Sequence, residues 1–83
     1  MSTEAAIERF IVDELLVGGK ETRIEPNQSL LDSGILDSLA LLRLISFIEE
    51  HFGVTIDDGE VIPENFETIK EISALVKRKK QKE

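Results

Sequence analysis

The fold is decided by residues 38–53, SLALLRLISFIEEHFG. Apolar residues recur in this stretch at spacings of three and four, the period of an α-helix with one buried face. We therefore predict a helix from Ser38 to about Phe52, which Gly53 ends because glycine readily adopts the left-handed conformation of a helix end. Its predicted inward face consists of Leu41, Leu44, Ile45, Ile48 and Phe52.

A first helix is predicted upstream, from near Thr3 as a plausible cap to about Val17. Gly18 and Gly19 follow and end it. Its apolar stripe has helical spacing and consists of Ile7, Phe10, Ile11 and Leu15.

Two shorter signals follow residue 53. Pro63 suits the first position of a short third helix that ends near Phe66. Thr68 and Glu71 have the spacing of a capping box and predict the start of a fourth helix. The inward residues of that helix are Ile69, Ile72, Leu75 and Val76.

The connections complete the predicted architecture. A long loop over residues 18–37 joins the first two helices, and its apolar residues Ile24, Leu30, Leu31 and Ile35 predict that it is pinned to the core. Residues 54–56 are expected to form an extended connection with two buried side chains. We predict an all-α protein, a small four-helix bundle with a long loop between helices 1 and 2 and a short third helix. Residues 1–83 form one domain, with a basic tail (77–83) that can fray.

Composition narrows the classes of function. The chain has no cysteine, which excludes a disulfide framework, a thiolate nucleophile and a zinc knuckle. Residues 1–76 contain sixteen acidic and five basic residues, and such an acidic body repels nucleic acid. No apolar run approaches the roughly 20 residues that span a membrane, and no signal-peptide pattern is present. We expect a cytoplasmic monomer with no nucleic-acid partner, no membrane span and no metal site.

Ser38 is the candidate functional residue, because it stands at the start of the second helix between Asp37 and Leu39. A serine hydroxyl needs a base to become a nucleophile. The one histidine, His51, lies about 20 Å further along the same helix, so we expect no enzyme activity. The helix N-terminus would tolerate a phosphodiester on Ser38. The alternative is that Asp37 or Ser38 simply caps the helix.

Three segments considered together carry a resemblance to a known family. Residues 29–39 (SLLDSGILDSL), 49–54 (EEHFGV) and 62–66 (IPENF) resemble the acyl and peptidyl carrier proteins. The resemblance implies a 4′-phosphopantetheine arm, taken from coenzyme A, on Ser38. The thiol of that arm would carry acyl or aminoacyl groups as thioesters, which would resolve the missing cysteine. The implied partners are a phosphopantetheinyl transferase, an adenylating or acyl-transferring loading enzyme and downstream biosynthetic enzymes.

The chain also departs from the pattern of carriers for fatty-acid synthesis. Two residues separate Gly34 from Asp37, where those carriers usually have one, and Ala40 and Arg43 occupy positions where they have acidic residues. In these features the chain looks more like free-standing carriers of dedicated pathways, such as D-alanyl carrier proteins or loading carriers of polyketide and nonribosomal peptide systems.

The outer face of the second helix is the expected docking surface. Leu42 is its apolar anchor, and Ser46 stands where a larger apolar residue is usual. Arg43 contacts the phosphate, selects a partner or is only solvated. Leu39 either joins this face or packs into the bundle. A mixed apolar and charged face suits transient docking. The alternative from another class is an unmodified helical interaction module in which Ser38 is only a helix cap.

Overall fold

The computed structural model describes residues 2–15 and 23–82 of the chain. The described residues contain helices and connections but no strand. The helices are α1 (Thr3–Phe10), α2 (Ser38–Phe52), α3 (Pro63–Phe66) and α4 (Ile69–Lys82). A π-helical segment (Ile11–Leu15) continues α1, and a 3₁₀ turn (Asp58–Glu60) precedes α3. The predicted all-α four-helix architecture is confirmed.

The start of α1 corrects one prediction. Ser2, not Thr3, caps the helix: its backbone is extended, and its hydroxyl accepts a hydrogen bond from the N–H of Ala5 at 3.1 Å. Thr3 has helical geometry and is the first residue of the helix. Beyond Phe10 the chain widens into the π-helical segment, which was not predicted. The expected end at Val17, Gly18 and Gly19 lies outside the described residues.

The second helix begins and ends as predicted. Asp37 has an extended backbone ahead of the first helical turn, and Gly53 takes the left-handed conformation with φ +70°. Leu44 and Ile48 are completely buried. The remaining members of the predicted inward face are partly buried against the core, namely Leu41, Ile45 and Phe52.

The fourth helix supplies much of the core. Its predicted inward residues Ile69, Ile72, Leu75 and Val76 are all buried, as is Phe66 of α3. The hydroxyl of Thr68 accepts the N–H of Glu71 at 3.1 Å, which is the threonine half of the predicted capping box. Ser73, on the same helix, is buried as well.

The described part of the long loop is pinned to the helices. Ile24 and Leu30 are buried, as predicted, while Leu31 and Ile35 are only partly buried. The N–H of Ile24 donates to the carboxylate of Glu8 at 2.9 Å, and two backbone bonds join the loop to residues 67 and 70. Because the loop is held at several points, it fixes the position at which α2 begins.

The connection after α2 is tied down in a similar way. Val54 and Ile56 are its two buried side chains, as predicted. The N–H of Ile56 donates to the carboxylate of Glu49 at 2.9 Å. From α4, the ammonium of Lys79 contacts Glu60 at 2.7 Å and Asp57 at 3.3 Å. The connection is therefore held by α2 at Ile56, and the 3₁₀ turn is held by α4 at Glu60.

Candidate functional site

Ser38 is the first residue of α2, and its side chain is exposed. The cap of the helix is Asp37, whose carboxylate accepts the N–H of Ala40 at 2.8 Å. No described residue forms a hydrogen bond with the Ser38 hydroxyl. Of the two possible caps, the structure therefore uses Asp37, and a bond formed at Ser38 Oγ would break no capping interaction.

The electrostatics at this position suit a phosphate ester. The first turn of a helix presents N–H groups without helical partners, and the helix dipole places a partial positive charge there. A phosphodiester on Ser38 would lie next to that charge and in contact with solvent. The first turn of α2 itself contains no acidic residue that would oppose it.

No base lies near Ser38 on its own helix. His51 is in the last turn of α2, about 20 Å away at 1.5 Å per residue. Its ring stacks on Phe47 with centroids 4.9 Å apart and meets Phe52 edge-on at 4.8 Å. The arrangement does not bring the imidazole to the serine.

The loop immediately before the site is shaped by Gly34, which has φ +80°. Its N–H donates to the carbonyl of Leu31, and the N–H of Leu36 donates to the carbonyl of Leu30. Leu36 is 4% exposed and was missed as an anchor. Of the two residues between Gly34 and Asp37, one therefore fills the core directly ahead of the cap.

The predicted docking residues lie together on the outside of α2. Leu42 is 62% exposed, and Arg43 and Ser46 are exposed beside it. Leu39 is 69% exposed, so it lies outside the bundle. Residues 38–48 contain no carboxylate. The one charged side chain among them, Arg43, pairs with Glu14 of the π-helical segment at 3.9 Å.

The described residues show neither a metal site nor a membrane-spanning helix. Across residues 2–15 and 23–82, no group of histidine, aspartate and glutamate side chains is arranged to hold a metal ion. In the same residues, no helix combines the length and apolarity that a membrane span requires.

The comparisons with known proteins agree with this geometry. The family model of the phosphopantetheine attachment site matches residues 6–76. An acyl carrier protein of Nitratidesulfovibrio vulgaris is 40% identical over 60 residues, which cover 72% of this chain and 76% of that protein. A D-alanyl carrier protein of Lactococcus lactis is 32% identical over 71 residues, covering 86% of this chain and 90% of that protein.

A solved structure of a holo acyl carrier protein from Nitrosomonas europaea superposes with a TM-score of 0.76 at 28% identity, over the full length of both chains. This protein belongs to the phosphopantetheine-binding family of acyl and peptidyl carrier proteins. Its cofactor is 4′-phosphopantetheine, which supplies a thiol to a chain that has no cysteine. The exposed serine hydroxyl at the start of α2, which takes no part in the cap, fits that group.

Proposed function

We propose that this protein holds acyl or aminoacyl groups as thioesters on a phosphopantetheine arm attached to Ser38, and presents them to partner biosynthetic enzymes without catalysing a reaction itself. The observation that carries the proposal is the exposed hydroxyl of Ser38 at the N-terminus of α2, next to a cap formed by Asp37. His51 lies at the far end of α2, and the Asp37 carboxylate is engaged by the N–H of Ala40. The base is therefore assigned to a phosphopantetheinyl transferase that uses coenzyme A.

Asp37 and Leu39 would support the attachment in different ways. Asp37 keeps the first turn of α2 in place, so that Ser38 stands in a constant position for the transferase. Leu39, at 69% exposure, gives the same region an apolar contact for an enzyme that docks there. This division separates the residue that orders the helix from the residue that meets a partner.

The docking face would be formed by Leu42, Arg43 and Ser46 on the outside of α2. It combines an exposed leucine with a single arginine and no carboxylate over residues 38–48. A partner enzyme whose docking site is mainly basic would meet no negative charge on residues 38–48 of this face. The face therefore favours dedicated partners with a largely apolar docking site, such as the loading enzymes of a polyketide, nonribosomal peptide or D-alanylation pathway.

Loading would come from an adenylating or acyl-transferring enzyme, and later enzymes would take the group from the arm. Relatives named acyl carrier protein and D-alanyl carrier protein support both classes of carried group. A cytoplasmic location belongs to the same proposal. Mass spectrometry of the intact thioester after loading would identify the carried group.

The rival function is an unmodified helical interaction module in which Ser38 is only a helix cap. The hydrogen bond from Ala40 to Asp37 removes the capping role that this rival gives to Ser38, and modification of Ser38 separates what is left of it from the carrier function. The test is intact mass after incubation with coenzyme A and a promiscuous phosphopantetheinyl transferase. We expect the wild type to gain one phosphopantetheinyl group and Ser38→Ala to gain none.

The matched control is Ser33→Ala, a nearby loop serine that is also exposed. It should gain the arm as the wild type does. A wild type that gains no mass, or a gain that survives in Ser38→Ala, would reject the proposal.

A further inference from the structure

A groove of 550 Å³ lies between α1 with its π-helical continuation and the second half of α2. Its floor is an aromatic stack: the rings of Phe10 and Phe47 are 4.3 Å apart and nearly parallel, and His51 stacks on Phe47 at 4.9 Å. Phe47 lies about two and a half helical turns beyond Ser38, hence on the opposite side of α2. The groove is therefore separate from the attachment site.

The charges around the groove are already paired within the chain. Arg9 contacts Asp13 at 3.6 Å, and Arg43 contacts Glu14 at 3.9 Å. These pairs lie on a body in which residues 1–76 are strongly acidic. A cation from a partner would have to compete with Arg9 and Arg43 for both carboxylates, whereas an uncharged side chain would not.

The groove is continuous with the outer face of α2. An adjoining depression is lined by Phe10 and Phe47 and also by three residues from the exposed side of the helix, namely Arg43, Ser46 and Glu50. Arg43 and Ser46 belong to the proposed docking face. A partner that covers this face would therefore reach the aromatic floor without leaving α2.

We propose that this groove is a second contact surface for the partner enzyme, and that it takes an uncharged aromatic side chain from that enzyme. The proposal rests on the carrier function, because the partner arrives by docking on α2. Aromatic rings pair well at centroid separations of about 4.5–7 Å, and the exposed ring of His51 is the member of the stack that a further ring can meet. Aromatic side chains that fill pockets are also the common anchors of protein interfaces.

The first experiment uses indole as the probe of an aromatic side chain and ethylguanidinium as the probe of an arginine. Each is titrated into the ¹⁵N-labelled full chain and followed by amide chemical shifts. We expect indole to give saturable shifts at residues 6–14 and 46–51, and ethylguanidinium to give none that saturate. His51→Ala should weaken indole binding by about threefold or more. Leu42→Ala lies outside the groove and should leave it unchanged.

His51 is exposed, so its replacement by alanine should leave the fold intact. Phe47 packs where α1 and α2 meet, and its replacement could disturb that packing. His51→Ala is then compared with the wild type in thioester loading of the holo protein by its loading enzyme; Leu42→Ala, which truncates the proposed docking face, serves as a control only in the indole titration. We expect His51→Ala to raise KM by about threefold or more with kcat unchanged. An unchanged KM would overturn the proposal.

Three further results would also overturn it. The first is the absence of saturable indole shifts, and the second is a preference for ethylguanidinium. The third is concentration-dependent self-association that requires Phe47, because a second copy of the chain would then occupy the groove. Installation of the arm, measured by mass in the same samples, separates the two proposals. If the arm is installed but indole does not bind, only the groove proposal fails; if the wild type takes no arm, the carrier function fails.

Discussion

The carboxylate of Asp37 accepts the backbone N–H of Ala40 at 2.8 Å, and this hydrogen bond makes Asp37 the cap of α2. Its neighbour Ser38 therefore does not form the capping hydrogen bond that serines often form at the start of a helix. Asp37 therefore stabilises the helix, and the adjacent Ser38 provides the hydroxyl of the site. Substitutions at the two positions should therefore have different effects.

Asp37→Ala should lower the free energy of unfolding by about 0.5–2 kcal/mol, because it removes the cap. Asp37→Asn should stay close to the wild type, since asparagine caps equally well. Ser38→Ala should change stability by less than about 0.5 kcal/mol, as is usual for an exposed position without a special role. Urea unfolding followed by circular dichroism measures all three. A larger loss for Ser38→Ala than for Asp37→Ala would contradict the assignment of the cap.

Ile48→Ala should lower the free energy of unfolding by about 2–5 kcal/mol, because Ile48 is completely buried in the inward face of α2. Leu42→Ala removes a side chain from the same helix that is 62% exposed, and it should cost less than about 0.5 kcal/mol. Thermal unfolding of both variants provides the comparison. The reverse ranking would mean that the helix is rotated about its axis.

Ser73→Ala should stabilise the protein. The Ser73 side chain is 1% exposed, and its hydroxyl has no hydrogen-bond partner among the described residues. An unsatisfied buried hydroxyl costs about 1–3 kcal/mol, and alanine is also the better helix former. We expect a gain of about 1 kcal/mol in urea unfolding. Ser46→Ala, on the exposed side of α2, is the control for helix propensity, and an equal effect in both variants would argue against a burial penalty at Ser73.

The contacts of Lys79 should make the free energy of unfolding change with pH in the alkaline range. The hydrogen bond to Glu60 raises the pKa of Lys79 above its ordinary value of 10.5. Desolvation lowers the pKa and the contact with Asp57 raises it, and the net shift is upward. Because the pKa is higher in the folded state, the stabilising contribution is complete below 10.5 and is lost as the pH rises through the raised pKa. The wild type should therefore lose more stability than Lys79→Met on going from neutral pH to about pH 11.

The matched control for this prediction is Lys77→Met, an exposed lysine of the same helix. It should show the pH dependence of the wild type. Urea midpoints at the two pH values provide the measurement, and a Lys79→Met variant with an unchanged pH dependence would contradict the role of the contact with Glu60.

Several features could be predicted from short-range patterns. The bounds of α2 follow from an apolar period that starts after Asp37 and from Gly53, whose left-handed conformation ends the helix. Pro63 marks the first turn of α3, and Thr68 the start of α4. In each case the signal and the structure that it predicts lie within a few residues of each other, because capping and helical periodicity are local properties.

Other features could not be predicted, for identifiable reasons. Ser2 and Thr3 are both good capping residues, so the residue types do not distinguish them, and the prediction of Thr3 as the cap was wrong. The burial of Leu36 was not predicted, because loop residues lack the regular spacing of apolar positions that predicts buried side chains in helices. Residues 11–15 contain no glycine or proline that would mark the π-helical segment.

The sequence by itself determined the helical class, the limits of α2 and the candidate serine, because periodicity, capping and glycine geometry act over a few residues. Only the tertiary structure decided that Asp37 holds the cap, that Phe10 stacks on Phe47, and that Lys79 contacts Glu60. The last two contacts join residues far apart in the chain, so they form only where the helices pack. The capping hydrogen bond is local, but whether Asp37 or Ser38 forms it depends on the backbone path into α2, which the buried side chains of the preceding loop set.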